Sequence, residues 1–567
     1  MGRSVGVSAS LTAVRASGIH GAAVRAFRAG LSLLPLVVSG CAQLQQLTTS
    51  PAERLADDVV IERDAWGVPH VRGGGDEAVL FGLAFAMAED HYARIEADLL
   101  VALGRAAPDD GGARVADDLA GGAADVETRA RAEYEREPPD RRALWDAFAH
   151  GLNHYLHSQP ATSDRLLLRY EPWMLFARAA VLDAPVVASW GWVVGPEQSA
   201  TGEPLLLAAL AAPWYGSGRV YEATLHSDDG FDVAGAFVLG LPLPRAGHNQ
   251  HVAWLDAAAA APDPRQHGSL PRALALSRAT SLEAFRAALA DAATRRWNTL
   301  YADVDGRTAA WVEGIETPGG TGPLQLGPAP SPGPVPAGGW TVAALEQAAS
   351  DAFGPSARDD VRALVDEWER VGGPNPRRAA ALDSVITVLR EWDQRFSASS
   401  AAAPLYADWL EEYARGDTAS AYGRFLALEN VAARLAREPA SRTWGDILRL
   451  QRSPDGSTFA DSLPSLPLGA APAGTGAGFS VETRAVAGGR RYAAGGRAWT
   501  AVMRLGRPPE SRTVVPFGPT APAGGPPFQD QAERFAAGAL KELRAGTATA
   551  EVRERYRPGR RARVLQQ

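Results

Sequence analysis

Ser189 opens the run Ser189-Trp190-Gly191-Trp192-Val193-Val194-Gly195, and no other residue of the chain is so well placed by type and setting to act as a nucleophile. Small residues lead into it and a short apolar strand follows. Gln198 to Pro204 then form a polar Gly/Pro hairpin, and Leu205-Leu206-Leu207 begin a second apolar strand. A serine hydroxyl is a weak nucleophile until a base takes its proton. A serine at the start of a buried strand can supply that base itself. If the backbone is cut just before it, the new α-amine, with an ordinary pKa of about 7.7–8.0, sits on the same residue. Other hydrolase arrangements lack their parts. A Ser-x-x-Lys nucleophile needs a lysine, and the single lysine, Lys541, has Gly538 three residues before it. No G-x-S-x-G elbow, H-E-x-x-H helix or G-x-x-x-x-G-K-[ST] loop occurs, and no dinucleotide fingerprint stands out. A scattered Ser/His/Asp triad need not be contiguous, but nothing supports one. His150, His154 and His157 share a helical face at metal-ligand spacing. No carboxylate completes a motif there, so a solvated face is expected and no metal is assigned.

The elements that must position Ser189 follow from periodicity. Val59 to Val71 reads as a strand pair around the tight segment Trp66-Gly67-Val68-Pro69-His70. Helical periodicity runs from about Asp76 to Gly104 and over about 139–158, and short apolar strands with Gly/Pro turns fill about 186–255. A low-complexity Pro/Gly-rich loop occupies 318–339, a helical stretch 340–453, and strands return within 454–567 before a last amphipathic helix. Strands on both sides of a helical insertion predict one sheet-based core, not beads on a string.

Composition narrows the partners. The net charge is −8 over 567 residues, and all basic residues but Lys541 are arginine, in an Ala/Gly/Pro-rich background. That balance points away from nucleic acid. The N-terminus reads as a targeting segment. Arg25 and Arg28 precede the apolar run Leu31–Val38, which ends in Val38-Ser39-Gly40-Cys41, and Cys41 is the only cysteine. This looks like a bacterial lipoprotein signal over 1–40, with Cys41 lipidated as the first mature residue. The expected location is the cell envelope, on the periplasmic or extracellular side, anchored through Cys41. With that thiol acylated, none remains for disulfides, metal or catalysis.

Several blocks, in order, carry a resemblance. Asp64-Ala65-Trp66-Gly67-Val68-Pro69-His70, followed by Phe81-Gly82 and Ala88-Glu89-Asp90, resembles the opening of the penicillin acylase family. Gly240-Leu241-Pro242 with Gly247-His248-Asn249 through Ala253-Trp254 resembles its "GLP … GHN" strand. Trp297 through Gly306 resembles its "N-x-x-x-AD-x-x-G" strand pair, Trp392-Asp393 the "WD" of its helical lobe, and Gly524 to Gln531 its terminal "DQ" block. Pro213-Trp214 tilts the likeness toward the acyl-homoserine-lactone and aculeacin-type acylases. The family consists of N-terminal-nucleophile hydrolases. The resemblance therefore implies an α+β fold with a four-layer αββα core and an inserted helical lobe. It also implies autocleavage between Ala188 and Ser189, giving an α chain of 41–188 and a β chain of 189–567 that stay together as a heterodimer. The β chain would begin with core sheet over 189–317. Ser189 would be the nucleophile, with the Asn298 side chain and the Ala258 backbone N–H as oxyanion donors. Trp192 and Trp214 would line an apolar acyl pocket for a small N-acyl amide substrate. No cofactor is implied; Asp256 and Asp263 lie where some family members bind calcium.

The sequence also departs from that pattern. Family members usually place Gly before the serine and Asn after it, where this chain has Ala188 and Trp190. Their "N-D-P-H" segment is here Ala208-Ala209-Leu210-Ala211, and the stretch between Trp254 and Trp297 is short. Two expectations from different classes follow. One is a self-processing amidase; the other is a catalytically degenerate acylase-fold lipoprotein that serves in binding or structure.

Overall fold

The computed structural model describes residues 50–105, 123–159, 166–180, 189–258, 270–290, 297–328, 330, 332, 334–371, 376–416, 422–435, 442–453, 458–486, 489–519, 531–545 and 551–560. Cys41, Ala188 and Asp263 lie outside them. Residues 55–567 form one compact unit; of the unit before it, only Ser50–Arg54 is described.

Helices and strands mix as an α+β fold whose two sheets each hold ten strands among the described residues. The first contains β1 (Val60–Asp64), β2 (Pro69–Gly73), β5 (Val220–Ser227), β6 (Asp232–Val238), β7 (Pro244–His248), β8 (Val252–Ala258), β9 (Trp297–Asp303), β10 (Thr308–Val312), β11 (Ile315–Pro318) and β20 (Val552–Tyr556). Its order is β11-β10-β9-β8-β7-β6-β5-β2-β1-β20, antiparallel except where β2 runs parallel to β5. The second sheet holds β3 (Trp190–Val194), β4 (Leu205–Ala211) and β12 (Leu324–Leu326), then β13 (Leu448–Leu450), β14 (Leu466–Pro467), β15 (Ala471–Pro472) and β16 (Ser480–Ala485). The long β17 (Arg491–Arg504), β18 (Glu510–Val514) and β19 (Lys541–Leu543) complete it. Its main path is β12-β3-β4-β17-β13-β14.

The sheets pack face to face. Strand β4 is apolar at every position because both of its faces are covered, unlike a strand with one wet side. Leu206, Ala208 and Leu210 face the first sheet's Leu255, Leu300 and Ala302, whereas Leu205, Leu207 and Ala209 face the helical lobe. That lobe (Val342–Ser350, Pro355–Val371, Pro376–Glu391, Ala402–Arg415 and Gly423–Leu435) covers the outer face of the second sheet. Helix Asp76–Ala102 covers the first, lying on β2 and β5, and helix Pro139–Ser158 packs against that helix. Helix, sheet, sheet, helix is the layering that the resemblance implies.

Two elements correct the reading of the sequence. The segment 318–339 is not wholly loop: Leu324-Gln325-Leu326 is β12, antiparallel to β3 as its edge neighbour. The expected C-terminal helix is Ala532–Ala536, and it is not the last element, because the chain continues into β19 and β20. His154, on the presumed wet face, packs against the rings of Phe81 and Phe85 at 5.5 and 5.8 Å.

Candidate active site

Ser189 sits just before β3 and is buried, 3 % exposed. Its Oγ accepts a hydrogen bond from the Ala211 backbone N–H at 3.0 Å. Strand pairing brings this about. Trp190 is opposite Ala209 in the β3–β4 ladder, so continuing the ladder back to Ser189 reaches the end of β4, where Ala211 lies. The donor is main chain, so this contact survives although the side chain at 211 is only a methyl. It fixes the hydroxyl while leaving its proton and one lone pair for chemistry.

Close approach of backbones shapes the surroundings. A Cβ on Gly191 would meet Leu207 O at 2.5 Å and the side chains of Leu300 and Leu255 at 2.9 and 3.0 Å, so glycine lets β3 press against β8 and β9. On the other side Gly327, at φ +76°, ends β12 against the nucleophile: a Cβ there would lie 2.2 Å from Ser189 O. The Leu-x-Leu alternation before Gly327 was the available signal for this strand.

Asn298 lies on β9 with Ala257 of β8 as its register partner, and Ala258 pairs with Trp297. Alternation puts Asn298 on the same face of β9 as Leu300 and Ala302, which line the space between the sheets. By the same count Ser189 shares a face with Gly191 and Val193, and Val193 also faces that space. The predicted nucleophile and side-chain donor thus belong to the two facing layers. Asn298 Oδ1 accepts the Glu313 N–H at 3.0 Å across the β10–β11 turn, where Glu313 adopts φ 50°. Its Nδ2 donates to no group among the described residues.

The two tryptophans go to different places. Trp192 packs in the core between Trp190 and Trp340, with centroids 5.7 and 5.8 Å away, on the lobe side of the second sheet. Trp214 lines a cavity with Pro213, Tyr221 and Phe517, a cavity whose walls do not include Trp192. Its indole N–H donates to the Arg497 carbonyl at 3.0 Å, and its ring meets Phe535 edge-on at 5.4 Å. Asp256 is held by the Arg272 guanidinium, at 2.8 Å for one of its two bonds, and by the Thr299 hydroxyl at 2.8 Å. Among the described residues no group of three or more His, Cys, Asp or Glu side chains converges as a metal site would require.

Buried charges lie behind Tyr221 of the cavity wall, and of these the motifs announced only Asp90. Arg63 joins Asp90 at 2.7 Å, Tyr221 donates to Asp90 at 2.5 Å, and Tyr556 reaches back from β20 to Arg63 at 3.2 Å. Burial, reinforced by Asp90, pushes the Tyr221 hydroxyl well above its ordinary range. Burial also drives His91 well below the ordinary imidazole value, with Arg219 and Arg452 adding to the effect, so its ring is neutral at pH 7. Sequence reading passed over His91 and Arg219 because neither belongs to a spaced motif; only folding brings them together.

A family model described as penicillin amidase matches residues 58–260 and 334–551, most of the chain, and this chain belongs to that family. It is 25% identical over 249 residues to an acyl-homoserine lactone acylase PvdQ of Pseudomonas fluorescens, covering 34% of this chain and 32% of the relative. A PvdQ of Pseudomonas putida is 46% identical over 61 residues, 11% of this chain and 8% of that one. The aculeacin-A acylase of Actinoplanes utahensis is 25% identical over 260 residues, 34% of this chain and 33% of the relative. The aligned stretches span about a third or less of these relatives' lengths. Among solved structures, a thermostable penicillin G acylase from Alcaligenes faecalis matches with a TM-score of 0.36 and 15% identity, over 62% of this chain and 96% of that one.

Proposed function

We propose that this protein is an amide hydrolase that removes acyl groups from N-acylated amines, with Ser189 as an N-terminal nucleophile. The observation that carries the reading is the Ala211 N–H bond to Ser189 Oγ at 3.0 Å, on a serine that begins a buried strand between β4 and β12. In the first step Oγ attacks the Ala188 carbonyl and the peptide shifts from nitrogen to oxygen. Water hydrolyses the ester, leaving a carboxylate on Ala188 and a free amine on Ser189. That amine takes the hydroxyl proton, through a water, as Oγ adds to the substrate carbonyl. Asn298 Nδ2 and the Ala258 N–H stabilise the oxyanion, each contributing about 10²–10³ in rate. The leaving amine carries off the proton, and a second water releases the acyl group. An envelope lipoprotein anchored at Cys41 is part of the same proposal.

Intact mass and N-terminal sequencing of the purified protein, beside Ser189→Ala, test it. Two fragments are expected, one beginning at Ser189, with cleavage absent in the variant. A single uncut chain, stable over days, would overturn the mechanism and leave the degenerate binding scaffold as the better reading.

A further inference from the structure

The C-terminal segment differs from the rest of the chain in charge. Residues 551–563 hold six arginines against two glutamates, a surplus of four positive charges in a protein whose net charge is −8. Arg553, Arg555, Arg557 and Arg560 are all exposed. Strand β20 orders them. Tyr556 turns inward to Arg63, so by alternation Arg553 and Arg555 share the opposite face, and Arg557 follows at the same spacing. Two carboxylates nearby leave these guanidinia in water. Glu62 is buried and accepts from Arg555 at 2.6 Å, yet that arginine stays 69 % exposed. Asp57 meets Arg560 at 2.5 Å, with the arginine 67 % exposed. Charged side chains on an edge strand guard it against stray pairing, which accounts for Arg553 and Arg555. It does not account for Arg557 and Arg560 beyond the strand, nor for Arg561 and Arg563 after them in sequence.

The place matters as much as the charge. Strand β20 is the edge neighbour of β1, the first strand of the chain, and the Arg560–Asp57 pair ties it to residues just ahead of β1. Cys41 precedes Asp57 by sixteen residues, which span at most about 55 Å when extended. A lipid on Cys41 pulls on the body at this edge. The negative body is repelled by an acidic surface while the basic edge is attracted, and together these forces set an orientation.

We propose that the arginine-rich C-terminal strand docks on acidic phospholipid headgroups of the membrane in which Cys41 is anchored. The choice of a bilayer rests on that anchor, itself part of the reading above; the binding assay does not. One consequence reaches the candidate site. Asn298, on β9, is seven strands along the sheet from β20, about 33 Å at the ordinary strand spacing. Docking through β20 therefore holds Asn298 away from the bilayer and open to substrates from the aqueous phase.

Vesicle sedimentation tests this on the chain from residue 41 onward carrying Cys41→Ser, so that no acyl chain contributes. Residues 55–567 are one compact unit that does not include the leader. Phosphatidylcholine vesicles with about a third phosphatidylglycerol should pellet the protein, and pure phosphatidylcholine should not. Raising salt from about 0.05 to about 0.5 M should release it. One arginine at an acidic surface is worth about fivefold in affinity, so Arg553→Gln with Arg557→Gln should weaken binding about 25-fold. Arg553→Lys with Arg557→Lys should keep it. Equal binding to neutral vesicles, or a glutamine variant that binds like the parent, overturns the proposal. Tighter binding to a short DNA duplex than to the acidic vesicles also overturns it and makes the strand a nucleic-acid contact. An unacylated Cys41 in protein isolated from cells, with vesicle binding retained, removes the anchor and leaves the lipid-binding edge standing.

Discussion

Lys541 is the only lysine in the chain, and its ammonium bridges the two sheets. From β19 of the second sheet it reaches Glu222 of β5 in the first at 2.8 Å and Thr513 of β18 at 2.9 Å, with both charged side chains 2 % exposed. Lys541→Met keeps the stem and removes the charge. Glu222 then retains only the Trp499 and Gln531 donors, a buried carboxylate without a cation. Breaking a buried pair from one side costs about 3–5 kcal/mol, a large fraction of the 5–15 kcal/mol that typically holds a domain. Neutralising both sides removes the stranded charge. Lys541→Met with Glu222→Gln should therefore recover most of the loss and leave about 1 kcal/mol for the missing hydrogen bonds. The coupling between the two positions is then at least about 2 kcal/mol. Urea denaturation followed by tryptophan fluorescence, with matched slopes, measures it. A cost under about 1 kcal/mol for the single variant, or a double variant no better than the single, would refute the argument.

Asn298→Asp keeps the oxygen that accepts from Glu313 but deletes the Nδ2 donor. Amide hydrolysis should fall about 10²–10³-fold while the urea midpoint barely moves, whereas Asn298→Ala loses both; unchanged turnover in Asn298→Asp would remove Asn298 from the oxyanion role. Gly327→Ala puts a methyl 2.2 Å from Ser189 O at a left-handed φ, a strain of about 1–3 kcal/mol. A gel time course should show slowed appearance of the Ser189 fragment, and processing at the parent's rate would argue against the β12 contact. His91 has a depressed pKa in the fold because it is buried, so the unfolded chain takes up a proton below about pH 6.5 and the folded one does not. That linkage costs the parent stability as pH falls, and His91→Gln lacks it. The parent's stability margin over the variant should therefore narrow between about pH 7.5 and 5.5; a constant margin would count against a neutral His91.

Much of this architecture is legible in the sequence because its signals are local. The helix over Pro139–Ser158 and the strands from Trp190 onward follow from periodicity, and β4 shows the unbroken apolar run of a strand buried on both faces. Strand β12 is harder to see. Three residues in a Pro/Gly-rich stretch carry little pattern, and their structure depends on an edge of β3 far away in sequence. The C-terminal segment misleads for a related reason: β20 is polar along most of its length and is a strand because β1 offers it a partner. At the site, Ser189 and Asn298 fall within recognisable blocks. His91, Arg219 and the Lys541–Glu222 pair do not, since their meaning lies in which charges are already answered, and that is known only after folding.

The order of the first sheet has a mechanical consequence. The hairpin β1–β2 precedes Ser189 in the chain, yet β5 flanks it on one side and β20 on the other, both from the segment after Ser189. Scission before Ser189 thus leaves the leading piece gripped like a tongue in a groove. To escape, it must surrender two ladders of main-chain hydrogen bonds together, as well as the burial of helix Asp76–Ala102 against β5. The peptide bond at that point is expendable for holding the molecule together. A cut protein would migrate as one particle until denatured, and the trailing piece made alone would keep eight of the ten strands, with a gap two slats wide between β5 and β20.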